Sequence, residues 1–402
     1  MHTPTFLTHA IQQRLPENAH KEITKHVSEG LIDIDALNLF FSKAEISNHI
    51  QELKEMQFLR ITAYPGCNLR CSYCNPEGLS SGDTLTTREI LDIVKAAHEL
   101  GIRTVHYTGG EPTERLDFVE LVRATKKIGM TTIDVTTNGT NLNRPIIIGR
   151  KEYGSMIEAL YASGLTGVSL SLDSLNPETF KKMALSKNTI IDANYALSQI
   201  KKAIEKTCCL FKISGKFVVN MVVTKLNFHE IQSLLIYAQE LDGGFVPRFC
   251  ELQNKGPAYG EHQDKFYANY ITRESIIQTL ENIGMGKLQK LNRVSIDKQN
   301  AHAEYYALGR DNLVVGIVAP FSQGWPCPKA DCSRIRIGPT GAVNSCLESR
   351  TYQLKDKSLL EKKEVIKQVI YQKILRILND DWPKTHGTDY LSLRFGLEKN
   401  QK

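Results

Sequence analysis

Six short runs rich in β-branched and aromatic residues, separated by stretches long enough for helices, limit the fold of this chain more than any other feature. They are FLRITAY (58–64), RTVHYT (103–108), TTIDVTT (131–137), TGVSLSLD (166–173), KFVVNMVVT (216–224) and GFVPRFCEL (244–252). After the first, TTREILDIVKAAHELG (86–101) carries a capping box at Thr86 and Glu89 and a stop at Gly101. After the second, RLDFVELVRATKKIG (115–129) spaces its apolar residues at helical intervals and ends at Gly129. Parallel strands need long crossover connections, and strand–helix alternation supplies them, so the expected class is α/β. Six alternations predict a parallel sheet curled into a partial (β/α)6, TIM-like barrel, with ligands gathered at the carboxyl ends of its strands.

A chain of 402 residues is too long for one ordinary small domain, but it accommodates such a barrel with appendages. The barrel is expected over residues 57–253. Residues 1–56 alternate charged and apolar side chains and read as a helical N-terminal extension, packing on the open side of the barrel or binding a partner. NRPIIIGRKEYG (143–154) reads as a loop insertion before the helix SMIEALYASG. Beyond 253 the sequence turns polar and turn-rich, a crossing to a C-terminal module over 254–402 that ends in helices.

The composition, 41% hydrophobic and 23% charged, is that of a globular protein. No run of eighteen apolar residues appears and the N-terminus lacks the pattern of a signal peptide, so neither a membrane span nor secretion is expected and a cytoplasmic address is the default. The net charge of +6 is carried by scattered Lys and Arg, which supports a nucleic-acid stripe only weakly and suits a small anionic substrate equally well, so nucleic acid is not the expected partner.

The nine cysteines are clustered: Cys67, Cys71 and Cys74 in one triplet, Cys327, Cys332 and Cys346 in another, with Cys208, Cys209 and Cys250 between them. In a reducing compartment such clusters are better explained as metal ligands than as disulfides. A structural zinc closes its tetrahedron with four protein ligands, whereas each triplet offers three thiolates; three suit a [4Fe–4S] cube with one iron left open. Cys208 and Cys209, adjacent in sequence, read as buried small hydrophobes, and Cys250 reads as a core thiol or one facing the barrel interior.

The C-x3-C-x2-C spacing in CNLRCSYC, followed about 35 residues later by YTGGEP, resembles the radical S-adenosylmethionine (SAM) superfamily. The resemblance implies that Cys67, Cys71 and Cys74 are the catalytic cluster ligands and that the open iron chelates SAM. It further implies that Tyr73 lies against the adenine, that Gly109 and Gly110 let backbone approach the ligand, and that Glu111 accepts from the methionine ammonium. An electron donor such as flavodoxin or ferredoxin is implied, and a homodimer is compatible with the sequence.

The second triplet, C-x4-C-x13-C around a hairpin RIRIGPTGAVNSC, resembles the auxiliary-cluster ("twitch") module of GTP 3′,8-cyclases, which holds a second [4Fe–4S] cluster; a zinc hairpin is the competing reading. In that family two residues lie between the first two ligands, where this chain has four between Cys327 and Cys332. Carried over position by position, the resemblance assigns SAM contacts to Gly110 and Ser171. It assigns substrate contacts to Arg60, Thr137, Asn220, Arg248, Arg334 and Arg336. Three cations of the family are absent: Thr104, His106 and Val218 stand in their places, with Lys216 on the same strand face as Val218 and able to reach in for it. His106 is either a replacement substrate contact or a polar lining residue. The expected function is therefore reductive SAM cleavage with hydrogen abstraction from an anionic, nucleotide-like small molecule bearing fewer phosphates than GTP, GTP cyclisation remaining open. The alternatives are a peptide-modifying radical SAM enzyme and a non-catalytic iron–sulfur or zinc protein.

Overall fold

The computed structural model of the protein describes residues 58–74, 84–185, 191–212, 216–253, 263–285, 287–291, 303–309, 313–319, 334–344 and 351–378. The expected N-terminal helices and the cysteines at 327, 332 and 346 lie outside the described residues. All six expected strands form, within two residues of the expected bounds: β1 (Phe58–Tyr64), β2 (Thr104–Gly109) and β3 (Thr132–Thr137), then, after the short β4 (Ile146–Ile148) and β5 (Lys151–Tyr153), β6 (Gly167–Ser171), β7 (Lys216–Val223) and β8 (Val246–Glu251). Helices α1 (Thr87–Glu99), α2 (Phe118–Ile128), α3 (Met156–Ala162), α4 (Pro177–Ala184), α5 (Ala193–Phe211) and α6 (Ile231–Glu240) occupy the intervals. The capping box at Thr86 and Glu89 is formed as read, and Gly129 closes α2 in the left-handed conformation.

Strand parity divides the sheet into two chemically different faces. Leu59, Ile61, Val105, Tyr107, Ile133, Val135, Val168, Leu170, Val219, Met221 and Phe249 are buried beneath the helices and form the main core. The alternate positions carry Arg60, Thr62, His106, Thr108, Asp134, Thr136, Ser169, Ser171, Asn220 and Arg248. A sheet with an apolar outer face and a polar inner one builds its core against the helices and leaves the concave side for a polar ligand.

The barrel strands pair in parallel in the order β1-β2-β3-β6-β7-β8, and C-terminal strands lie against both β1 and β8. Beyond β8 come α7 (Gln263–Asn269), α8 (Arg273–Leu280), β9 (Gln289–Leu291), β10 (Ala303–Leu308), β11 (Leu313–Val318), β12 (Arg334–Ile337), β13 (Ala342–Asn344), β14 (Thr351–Gln353) and α9 (Leu359–Leu378). β11 adds to β8 and β12 adds to β1, both in parallel, so C-terminal strands extend both flanks of one twelve-stranded sheet. The unpaired ladder groups of each flank are thereby satisfied, which no local pattern could announce.

Two expectations change. Residues 143–154 are not a loop but a hairpin, β4 pairing with β5 from Ile146↔Tyr153 to Ile148↔Lys151 around Gly149 at φ +63°. Cys208 is buried in the core as expected, while Cys209 is exposed, because adjacent helical residues cannot share one face.

Candidate active site

β1 runs into the loop that carries Cys67, Cys71 and Cys74, and this loop is held on two sides. The backbone N–H groups of Arg70 and Ser72 donate to the carbonyls of Ala184 (2.9 Å) and Met183 (2.8 Å) at the end of α4. On the other side the N–H groups of Gly110 and Glu111 donate to Tyr64 (2.8 Å) and Gly66 (2.7 Å). A Cβ on Gly109 would lie 2.1 Å from the Tyr64 carbonyl oxygen, and one on Gly110 would lie 2.1 Å from that of Gly66. The glycine pair therefore permits the close contact between its own loop and the cysteine loop.

Burial raises the thiol pKa of all three cysteines: Cys67 above the ordinary 9.0, Cys71 well above it and Cys74 to about 11. Repulsion among the sulfurs adds to the rise for Cys71 and Cys74. Among the described residues no three such side chains gather closely enough to hold a single metal ion; what the loop offers is three thiols, the number and type of donor that a [4Fe–4S] cluster with one open iron takes.

Glu111 is fully buried, and four donors converge on its carboxylate: the N–H of Thr113 (3.0 Å), the Thr113 and Thr137 hydroxyls (2.5 and 2.7 Å) and the Asn138 N–H (2.6 Å). Burial pushes its pKa up, against the pull of those donors. Its oxygens thus strap the end of β2 to the end of β3. Thr137 is part of that strap, on the opposite face of β3 from Thr136, which meets His106 Nε2 at 2.7 Å. The substrate contact that the sequence places at Thr137 has its hydroxyl committed to Glu111.

Tyr73 donates its hydroxyl to Asp173 and packs against the cluster of Leu252 and Phe266, which Val222 and Tyr270 also border. Asp173, buried just beyond β6, has its pKa raised to about 6 by burial and also accepts the Val222 N–H at 2.9 Å. Its carbonyl accepts from Asn227 Nδ2 at 2.7 Å, which pins the turn after β6 to the end of β7. Asp173 ends the strand run TGVSLSLD and Asn138 directly follows TTIDVTT, but nothing in one chain's residue pattern separates them from their neighbours.

The inner face below these loops is layered by register. Ser171 on β6 is level with Asn220 on β7, Asn220 with Arg248 on β8, and Arg248 with Gly316 on β11. Arg248 donates through Nε to Asn220 Oδ1 at 2.6 Å and through its guanidinium to the Tyr305 hydroxyl at 3.3 Å. Deeper, Arg60 is level with His106 on one side and with Arg336 of β12 on the other, and donates to Thr108 Oγ1 at 3.3 Å. Arg334 lies one inward-facing step below Arg336, opposite Phe58. Lys216, the residue that was to reach in for a missing lysine, stands at the entry to β7 with its ammonium 3.9 Å from Asp134 Oδ2. Cys250 shares the inner face with Arg248, and burial raises its thiol to about 11.

The pattern of the radical SAM superfamily matches residues 61–237. The GTP 3′,8-cyclase of Alkaliphilus oremlandii is 32% identical over 301 residues, which covers 74% of this chain and 82% of that protein. A probable GTP 3′,8-cyclase of Sulfurisphaera tokodaii is 28% identical over 324 residues, covering 78% and 91%. Among solved structures, Streptococcus suis SuiB bound to S-adenosylmethionine superposes with a TM-score of 0.51 at 15% identity, covering 91% of this chain and 78% of that one, a likeness of fold.

Proposed function

The chain belongs to the radical SAM superfamily, in the family of the GTP 3′,8-cyclases, and on that premise we propose that it abstracts hydrogen from a nucleotide-like small anion seated on the inner face of its barrel. Membership brings a [4Fe–4S] cluster and SAM. When bound, the reduced cluster supplies the electron that splits SAM into methionine and a 5′-deoxyadenosyl radical.

The chain's own residues do the rest. Cys67, Cys71 and Cys74 would hold three irons and leave the fourth open, the loop being fixed by α4 on one side and by Gly110 and Glu111 on the other. Tyr73, anchored at its hydroxyl by Asp173, presents a fixed ring beside the last ligand. Ser171 and Asn220, level with each other on the inner face, would bind polar groups of SAM or substrate. Cys327, Cys332 and Cys346, outside the described residues, would hold a second cube.

The observation that carries the substrate reading is the alignment of Arg60 with Arg336 across β1 and β12. Two guanidiniums level on neighbouring strands, with Arg334 below and Arg248 across the barrel, present planar bidentate donors to one anion. With Thr104, His106 and Val218 where the family carries cations, a nucleotide with fewer phosphates than GTP is favoured.

Calorimetric titration of wild type and Arg336→Ala with GTP, guanosine monophosphate and neutral peptides tests this. A nucleotide should bind wild type and lose about tenfold or more in the variant, since a charge-assisted hydrogen bond is worth roughly 1.5–3 kcal/mol. Binding of peptides alone, unchanged by Arg336→Ala, would refute the reading and turn attention to peptide modification.

A further inference from the structure

One cysteine sulfur of the triplet has an amide aimed at it from another element. Cys67 Sγ accepts the backbone N–H of Leu69 at 3.4 Å and the side-chain amide of Asn138 at 3.7 Å. The orientation of the Asn138 amide follows from its neighbours. Its Oδ1 faces the backbone N–H of Thr140 at 3.1 Å, a group that only donates, and also accepts the Thr140 hydroxyl at 2.7 Å. The NH2 group must therefore lie on the other side, where Cys67 Sγ and Asn68 Oδ1 (2.8 Å) receive it. Asn68 in turn donates to Thr140 Oγ1 at 2.8 Å, closing a ring of hydrogen bonds, and the Asn138 backbone N–H is tied to Glu111. Asn138 is thus fixed at backbone, oxygen and nitrogen while it faces the cysteine loop.

We propose that Asn138 is a positioning residue that donates to the Cys67 sulfur and thereby sets how readily the cluster on Cys67, Cys71 and Cys74 accepts its electron. The proposal rests on the reading that this triplet holds a [4Fe–4S] cluster. Reduction adds negative charge that the cluster shares with its thiolates. A hydrogen bond to a thiolate is stronger in the more negative state, so each such donor favours the reduced cluster. Leu69 supplies one donor from its backbone, which every residue but proline would keep; Asn138 supplies the one that a side-chain substitution alters.

The test uses the full-length chain loaded with iron and sulfide under anaerobic conditions, as wild type, Asn138→Asp and Asn138→Ser. Asn138→Asp keeps an oxygen for Thr140 and the same shape but loses the N–H donor. Samples are poised at one solution potential and the reduced fraction is read by electron paramagnetic resonance, the cluster being identified by the change in its signal on adding SAM. At wild-type iron content the reduced-to-oxidised ratio should fall about tenfold in Asn138→Asp, equivalent to ~59 mV for a one-electron couple, and fall in the same direction in Asn138→Ser. Loss of iron from Asn138→Asp, with far-UV circular dichroism and melting temperature unchanged, also supports the contact, because outer-shell partners change metal affinity roughly 10–100-fold. Equal ratios at equal iron content in all three proteins would overturn the role of Asn138 alone. A wild type with no SAM-responsive cluster would overturn the cluster reading and this proposal with it; iron and sulfide measured on wild type first keep the two failures apart.

Discussion

Gly110 shows how far a single hydrogen in place of a methyl group can decide a site. An added Cβ would meet the carbonyl oxygen and carbon of Gly66 at 2.1 and 2.5 Å, both backbone atoms that cannot swing aside. Gly110→Ala should therefore push the cysteine loop away from the end of β2. Overpacking of this kind costs about 1–3 kcal/mol or more, concentrated here in a loop rather than in the core. The expected result is a protein that folds, melts a few degrees lower and retains markedly less iron after reconstitution; a variant with wild-type iron content and melting temperature would show that the loop has slack. The sequence marks Gly110 as a position of close backbone approach, and the fold shows one such approach, to Gly66, that no local pattern contains.

At the scale of elements, a cluster of side chains ties α8 to the far flank of the sheet. Arg273 Nε on α8 donates to Glu304 Oε2 on β10 at 2.9 Å, and Lys290 on β9 reaches Glu304 Oε1 at 2.6 Å. Burial alone would raise the Glu304 pKa, but the hydrogen bonds from Lys290 and Arg273 outweigh it and hold the carboxyl below its ordinary 4.5. The folded state then releases a proton more readily than the unfolded chain. The stabilisation is present above the ordinary carboxyl range and is lost as pH falls through the lowered folded value. Glu304→Gln should cost about 1 kcal/mol at pH 7, a moderate figure because both partners are partly solvated. The gap between wild type and variant in denaturant melts should close towards pH 3; a gap that persists there would assign the effect to packing.

β12 carries a different burden. Ile335 and Ile337 are buried and face the core, which leaves Arg334 and Arg336 on the inner face. Ile335→Pro removes a ladder donor beside β1 and should displace the arginine pair without touching the cysteine loop. SAM cleavage without added substrate should persist near the wild-type rate while product formation falls at least tenfold. If both fall together, β12 also supports the cluster end of the barrel. The hairpin β12–β13 was readable from its alternation and turn residues, whereas its docking in parallel on β1 was not, because register between distant segments leaves no local trace.

At the scale of the whole molecule, the two cysteine triplets should separate cleavage from turnover. Replacing Cys67, Cys71 and Cys74 by alanine should abolish 5′-deoxyadenosine formation under dithionite, since no open iron remains to bind SAM; formation at the wild-type rate would rule the triplet out. Replacing Cys327, Cys332 and Cys346 should remove about four irons per chain, the content of one cube, and stop product formation while sparing SAM cleavage. Tightly bound zinc with iron for one cube only would make the second triplet structural.

Taken alone, the sequence determined what is local or periodic. Strand–helix alternation carries the barrel, because side-chain period follows directly from backbone geometry. The caps of α1 and α2 and the cysteine spacing are likewise short-range. Composition excluded an apolar span of the chain, and no helix among the described residues is long and apolar enough to cross a membrane. Tertiary structure alone decided which distant residues meet. It seated C-terminal strands on both flanks of the barrel and aligned Arg60 with Arg336. It also buried Glu111 among the donors of the β3 end and turned the Asn138 amide towards Cys67. Those contacts join segments tens to hundreds of residues apart, whose pairing is selected by the burial and hydrogen bonding of the finished fold, so no window of the chain contains the information that specifies them.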